Sequence, residues 1–567
     1  KINGLVKDGA IKLLNKKKID NINLIFESKN KNLDINDIKF SYDNLDFTSK
    51  NIKLINREKF INIEGQINND EVSLSDELLK NIGNSFSNLD FTKFKFSSQN
   101  KFLFQVDNKF KILNYEIKSS LDIEESSFKN DIALKDIFPN LQSDVKIKNH
   151  SVEITYKKND FSVLGNGKFL IQKNYDNISY NIKKNKDKYL FDIKFNFLDN
   201  PIHLNFLNYK TNDQFETILK LDGELINKND LNFKNIIFEN GSDFININKL
   251  KLSNDLKISE IKFVDLNFLD TQDKKNIFQI KKERENYLIS GKIFNASKLI
   301  ENLIFEDSKK NNIFDKDYNL KINLNEVYLH ENHNVNNLKG VLKFEDDNIV
   351  SAKITSNFNE NEKINFTIIS NSEQKVTTLF SDQAKPFVQK FNFIKGFEDG
   401  SLDFYSVKSN GTTNSKLKIY DFKLKELPAL TKLLTLASLQ GIADLLSGDG
   451  IRFTEFEMNF ENKNKLMTIN EIYAIGPAIS ILMEGYVEKT KLVSLRGTLV
   501  PATTINKVIG SLPLIGNILV GKKTGEGVFG VSFKIKGPPK KLETTVNPIK
   551  TLTPRFITRT LEKIKKN

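Results

Sequence analysis

The feature that most constrains this chain is a period-two alternation of large apolar residues that recurs through residues 1–399. In the run Tyr189, Phe191, Ile193, Phe195, Phe197 every second position is apolar, with Leu190, Asp192, Lys194 and Asn196 between. The same pattern appears at Leu33, Ile35, Ile38, Phe40, Tyr42, at Phe244, Ile245, Ile247, Leu250, Leu252, and at Leu256, Ile258, Ile261, Phe263. Successive side chains of a strand point to opposite faces, so these runs predict sheet with one apolar and one polar face. Short polar clusters separate them, such as Lys158-Asn159-Asp160, Asn208 to Asp213 and Asn227 to Asp230. Those residues make tight turns, and such short connections favour antiparallel neighbours. Only Ser75–Ile82 and Ser297–Phe305 read as helical.

A strand-and-turn unit of about 13 residues would place about 30 strands in this region, roughly 145 Å of sheet at about 4.8 Å per strand. A sheet that long must curl, split or form a trough. The alternation by itself leaves two architectures open: a trough with an apolar lining, and a set of β-sandwiches that pack face to face.

Charge divides the chain. The net charge is +13 over 567 residues, yet residues 1–399 carry 60 basic against 58 acidic side chains, and residues 489–567 carry 16 against 3. The surplus therefore marks one end. Of 26 Gly, 15 lie at or beyond Gly400, and eight of 11 Pro follow Pro386. This shift in turn-forming residues predicts a boundary near 400, with a repeating β region over 1–399 and a distinct region over 400–567. The first residue is Lys1, which predicts a longer precursor, and no secretory signal is visible.

Motifs for chemistry fail on their context. No Cys is present, so thiolate catalysis and thiolate metal sites are excluded. His330-Glu331-Asn332-His333 spaces its histidines three apart, one short of the zinc-protease helix, and sits between strand-like runs, which predicts a hairpin loop. His150 and His203 are isolated and read as surface or turn residues. Gly525 to Gly530 fits G-x-G-x-x-G but is followed by Val531, Phe533 and Ile535 in alternation, a strand where the dinucleotide fold needs a helix. The segment Gly516 to Lys522 has P-loop spacing, but Lys523 stands where Ser or Thr must hold magnesium. Glu398-Asp399 and Asp346-Asp347 read as solvated turn pairs. Neither an enzyme nor a resident cofactor or metal is expected, and the dispersed lysines do not make a nucleic-acid stripe.

The C-terminal region carries apolar segments of another kind. Leu427 to Leu446 is helix-like with leucines around its whole circumference, and Ile472 to Met483 and Val508 to Gly521 each suit a buried hairpin, a lid or an insertion at a membrane surface. Val508 to Gly521 holds Leu512, Leu514, Ile515, Ile518 and Leu519 without a charge, but at fourteen residues it is too short to span a bilayer. In the tail, Thr553 and Pro554 can open a helix on which Ile557, Leu561 and Ile564 share a stripe with Phe556 at its edge. Arg555, Arg559, Lys563 and Lys566 fall opposite, the pattern of a helix lying on an anionic surface.

Several blocks in this region resemble the C-terminal part of AsmA-like proteins of the YhdP type. They are Thr435 to Gly441, Leu446-Ser447-Gly448, Gly450 to Phe453, Gly476-Pro477-Ala478, Gly497 to Pro501, Leu512 to Gly516, Gly525 to Phe529 and Val546-Asn547-Pro548. The likeness covers roughly 395–567; over 1–394 it consists of the strand pattern alone. What it implies is a bridge-like lipid transfer protein of a Gram-negative envelope, mostly β, with a long curled antiparallel sheet as an elongated apolar groove. A few short helices and an end domain with amphipathic helices complete that fold. Phospholipids would be the cargo, moving across the periplasm from the inner membrane. The anchor in that membrane is absent from this chain, and the C-terminal end would meet the outer membrane or an envelope partner protein. Phe191, Ile193, Phe195, Phe197, Ile247 and Ile258 are then expected to line the groove. The apolar residues of 512–519 and the tail residues Arg555, Phe556, Ile557, Arg559, Leu561, Lys563 and Ile564 are expected to touch membrane or partner. The competing expectation is a β-sandwich scaffold or adhesin without lipid transfer.

Overall fold

The computed structural model is mostly β. It describes residues 1–12, 18–43, 45–75, 78–80, 90–129, 135–158, 160–226, 230–298, 300, 314, 316–330, 333–346, 348–388, 395–426, 450–464, 466–477, 479–488, 491–501, 531–539 and 541–546. Thirty strands belong to one long, largely antiparallel sheet, and two short ones form a separate ribbon, His203–Leu204 with Tyr209–Lys210. Two compact units divide at Lys281 and Lys282. The composition shift near residue 400 falls inside the strand Lys395–Ser409.

The first unit is a meander. From Ile2–Lys12 onward each strand pairs antiparallel with the next, including Asp144–Lys157 with Asp160–Leu170, Asp176–Asn185 with Lys188–Phe197, and Thr217–Ile226 with Asp230–Asn240. The second unit follows the same rule from Tyr318–His330 to Glu543–Val546. Of the forms open to Ile472 to Met483, the chain takes the buried hairpin, made by Leu466–Ile475 and Ile479–Glu488 with Ala474 and Ile479 buried. Val531–Gly537 is the strand its alternation predicts, and His330 pairs with His333 across a hairpin.

The sequence makes the turns as well as the strands. Asn410 and Gly411 both adopt positive φ, 49° and 74°, between Lys395–Ser409 and Thr412–Glu426. Two successive left-handed residues make the mirror-image turn whose twist matches that of the flanking strands, and Asn-Gly is its favoured pair. Asn30 and Lys31 do the same, at 53° and 64°, between Lys18–Lys29 and Asn32–Tyr42.

Four expectations need correction. Asn286–Asn295 and Tyr318–His330 run parallel. A parallel neighbour needs a long crossover, and here the chain spends 296–317 on it. That crossover holds the predicted helix at Ser297, of which 297, 298 and 300 are described and helical, with the Ile300 amide donating to the Ala296 carbonyl at 2.9 Å. His150 is neither a surface nor a turn residue: it lies in Asp144–Lys157 and is 4% exposed. Glu398-Asp399 lies within a strand, not a solvated turn; Asp399 has φ 61° at an irregularity, and Glu398 pairs with Lys425 at 2.9 Å. Finally, 24 described strands end by Ser381, against about 30 expected on a 13-residue unit, because individual strands run to 16 and 18 residues. For Ser75–Ile82, 78–80 are described and helical. The segments Leu427 to Leu446 and Val508 to Gly521 and the basic tail lie outside the described residues, as do all the residues expected there to touch membrane or partner.

Gly411 offers a clean test of the turn chemistry, because a Cβ there would meet nothing within 4 Å. Gly411→Val should lower stability by about 1–2 kcal/mol through backbone strain alone, whereas Gly411→Asn should be nearly neutral in urea unfolding.

Candidate functional site

Directly opposed residues of neighbouring strands lie on the same face, so the pairing register shows how each alternating run lines up with the next. In the first unit the apolar positions of seven consecutive sheet strands, Asp176–Asn185 to Lys275–Glu283, align into lanes that run across the strands. One lane is Ile178, Phe195, Leu219, Phe238, Ile245, Leu266, Phe278. The next is Tyr180, Ile193, Leu221, Ile236, Ile247, Val264, Ile280. A third runs Ile182, Phe191, Gly223, Phe233, Leu250, Ile261, and a fourth Tyr189, Leu225, Leu231, Leu252, Ile258. A one-residue slip at any pair would turn every following apolar side chain to the other side. The bulges at Asp222/Gly223 and Lys251/Leu252 absorb irregular spacing and keep the lanes in phase.

All six residues singled out by alternation fall on this face. Phe191, Ile193 and Phe195 occupy three adjacent lanes, Ile247 shares the lane of Ile193, and Ile258 that of Tyr189. Phe197 ends its strand beneath a cap. One border of the lanes is closed there: Phe138 lies 5.9 Å from Phe197, and Tyr209 meets Phe238 at 5.9 Å and Phe268 at 5.4 Å, ring centre to ring centre. Polar hubs hold the capping segments. Asn240 donates to the Asn212 and Phe215 carbonyls, both at 3.1 Å, and to Thr217 Oγ1 at 3.0 Å. Asp176, wholly buried, accepts from the Leu198 amide at 2.9 Å and Asn200 Nδ2 at 2.5 Å. Burial pushes its carboxyl up, and these two donors work against that push. At the opposite border Tyr189, Leu225, Leu231, Leu252 and Ile258 are only half-buried.

The second unit has its own lanes. One crosses twelve strands through Gly340, Ile354, Phe366, Leu379, Phe404, Leu417, Met458, Ile472, Met483, Gly497, Phe533 and Val546. One border is again sealed, by the short helix Lys385–Val388 and a stack of Phe397, Phe422 and Phe453 at 5.2 Å spacings.

The other face of each unit carries ion pairs, and in the second unit exposed apolar side chains such as Val341, Ile369, Phe380 and Tyr405 stand among them. Lys188 meets Glu224 at 3.1 Å and Lys251 meets Glu260 at 3.6 Å, while Lys95 pairs with Glu71 and Glu124. Exposed pairs of this kind stabilise weakly, each by about 0–1 kcal/mol, and chiefly keep that face wet. One of them is stronger. Glu457 takes Lys416 at 2.9 Å and Lys418 at 3.2 Å beside a shallow depression of about 280 Å³ lined by Phe380 and Tyr405. Burial alone would raise its carboxyl, but Asn459 and the two ammonium groups outweigh it and hold the pKa at about 2.

Alternation missed a polar notch in the apolar face. Gly165 and Gly167 lie two apart on Asp160–Leu170, so both present bare backbone to the same side. A Cβ at Gly165 would lie 2.4 Å from the Tyr180 ring, and one at Gly167 2.5 Å from His150. The two rings fill the space the glycines leave, stacked at 5.5 Å with His150 Nε2 3.1 Å from the Tyr180 hydroxyl. The signal in the sequence was the Gly-x-Gly inside a strand, a sign of close approach. Among the described residues no three His, Asp or Glu side chains group as metal ligands, and no helix is long and apolar enough to cross a membrane. No family model matches the chain, and no curated protein shows significant sequence similarity to it.

Glu457 should titrate near pH 2 by carboxyl NMR instead of at its ordinary 4.5. Its folded pKa is depressed, so its contribution to stability is complete above about pH 4.5 and fades as the pH falls toward 2. In the double variant Lys416→Met, Lys418→Met the midpoint should move upward.

Proposed function

We propose that this chain is a non-enzymatic conduit that carries phospholipid between the inner and outer membranes of a Gram-negative envelope, its sheet curled about the apolar face into an elongated groove. The observation that carries the reading is the continuity of the lanes. Apolar side chains follow one another without interruption across seven strands of the first unit, and one lane crosses twelve of the second. A binding pocket for one small molecule does not need such length. A path for acyl chains does, because each CH₂ kept from water is worth about 0.8 kcal/mol and any polar gap would return that cost to the moving lipid.

Burial on this face is greatest beside the cap, at Leu266 (3% exposed) and Phe278 (5%), while Phe191, Ile193 and Phe195 are half-buried and leave apolar surface open for acyl chains. A sheet this long must curl or split, and a curl about the apolar face makes the groove. The polar side, with its ion pairs, is then the convex wall that faces water.

The envelope setting rests on the AsmA-like blocks of residues 395–567. On this reading the chain works in the periplasm, held to the inner membrane by an anchor outside these residues. Leu512, Leu514, Ile515, Ile518 and Leu519, with the basic stripe of Arg555, Arg559 and Lys563 and the apolar stripe of Phe556, Ile557, Leu561 and Ile564, make the end that meets a membrane or envelope partner. Each Lys or Arg near an anionic surface adds about 1 kcal/mol of attraction.

Transfer of fluorescent phospholipid between vesicles tests the face assignment. Replacing Phe191, Ile193 and Phe195 with Asp should reduce transfer at least tenfold, since about 2–3 kcal/mol of burial is lost per large side chain and charges enter the path. Replacing Leu190, Lys194 and Asn196 with Asp should leave it within twofold. Equal effects from both faces would overturn the groove.

A further inference from the structure

The two borders of the first unit's apolar face differ in charge. A meander turns back at each border alternately, so the hairpin that joins Lys18–Lys29 to Asn32–Tyr42 and the one that joins Asp176–Asn185 to Lys188–Phe197 both lie opposite the cap. Every connection on this open border is short. The described residues in these turns, from 30–31 to 253–257, carry eight basic side chains against four acidic. The described connecting residues of the capped border, its short ribbon included, carry five against eight. Lys31, Lys59, Lys109, Lys111 and Lys186 on the open border are exposed and form no ion pair with a described residue.

Apolar tips accompany these cations. The turns 107–111, 253–257 and 270–274 share one backbone form: the first amide donates to the last carbonyl and the fourth amide to the first carbonyl, all at 2.8–3.0 Å. The fourth residue is left-handed in each, with φ of 60°, 58° and 57°. At the capped border that place holds Asp273, a residue suited to it. At the open border it holds Phe110 and Leu256, 62% and 70% exposed. A large apolar side chain is uncommon in this conformation, and in solvent it gains nothing from burial. Lys109 and Lys111 flank one tip and Lys257 follows the other. Cation and apolar tip together suit an amphiphile with a negative head.

A cation also stands on the apolar face. Lys184 occupies the outermost lane between Phe161 and Tyr189, with its ammonium 5.5 Å from the Tyr189 ring centre. Beyond Phe161 that lane runs on through Tyr156, Ile117, Phe102, Ile52 and Ile35 to Phe26. Four lanes two residues apart span about 20 Å, and an acyl chain in half a bilayer core measures about 15 Å. A diacyl lipid with its phosphate at the open border thus fits its tails across the lanes, with their ends toward the cap.

We infer that Lys184 and the lysine-bearing turns of the open border hold the phosphates of anionic phospholipids whose acyl chains lie across the lanes, which makes phosphatidylglycerol-type lipid the preferred cargo over zwitterionic lipid with the same chains. The inference rests on the conduit reading and adds the class of head group it selects. The turns recur at every second strand, about 10 Å apart, so a lipid that leaves one cationic turn meets the next. A zwitterionic head brings its own ammonium and gains little from them.

The test offers the full chain radiolabelled dioleoylphosphatidylglycerol or dioleoylphosphatidylethanolamine as cyclodextrin complexes, with no bilayer present, and measures the lipid retained through gel filtration. At low salt the unmodified chain should retain the anionic lipid at least about fivefold better, the worth of one lysine near an anionic surface. The preference should shrink in about 0.5 M salt. Lys109→Gln, Lys111→Gln, Lys184→Gln and Lys186→Gln together should bring it within about twofold and leave ethanolamine lipid unchanged. Removing the same charge from the capped border, with Lys80→Gln, Lys135→Gln, Lys173→Gln and Lys210→Gln, should leave the preference intact. Inorganic phosphate should displace no more lipid than chloride at equal ionic strength. An unmodified chain without preference, equal loss of both lipids, an equal effect from the two borders, or displacement by phosphate, which would assign the turns to a free anion, each overturns the inference while the conduit stands. If the unmodified chain retains neither lipid, the conduit reading fails and the inference with it.

Discussion

The structure depends on register. An alternating strand has an apolar side only in relation to its neighbours, and it is the backbone ladder, pair by pair, that decides whether those sides coincide. Here they coincide along Ile178 to Phe278 in one unit and Gly340 to Val546 in the other. Because a slip of one residue inverts a strand, the bulges matter as much as the regular pairs. Those at Asp222/Gly223 and Lys251/Leu252 are corrections of phase that keep apolar side chains on one side.

Two consequences follow from lanes on one face only. The apolar side must be covered, and the fold covers one border of it with irregular segments and the other only in part. The seam of Phe138, Phe197, Tyr209 and Phe268, held by Asn240 and Asp176, and the stack of Phe397, Phe422 and Phe453 anchor the sealed borders of their respective units. The polar side has no such demand. Its Lys–Glu pairs keep it soluble and discourage a second sheet from docking there.

Much of this was legible in the sequence because period two is a strong local signal. The alternation at Tyr189 to Phe197, the hairpin at His330 to His333 and the strand after Gly530 are all present as written. What was hidden is what depends on residues far apart. The parallel pair of Asn286–Asn295 with Tyr318–His330 is set by a crossover, not by either strand's pattern. His150 looked isolated because its partners, Tyr180 and Gly167, come from two other strands and meet it only through register. Glu398-Asp399 looked like a turn because an acidic pair ending in a left-handed residue has the same composition within a strand as in a loop.

The central claim is that the lanes hold acyl chains. It is tested most directly by native mass spectrometry of the chain purified without detergent, followed by lipid extraction and identification. The account predicts several phospholipid molecules per chain, removed together by Asp substitutions on the lane face. A chain that carries no lipid, or carries one molecule at a single site that those substitutions do not affect, would contradict it.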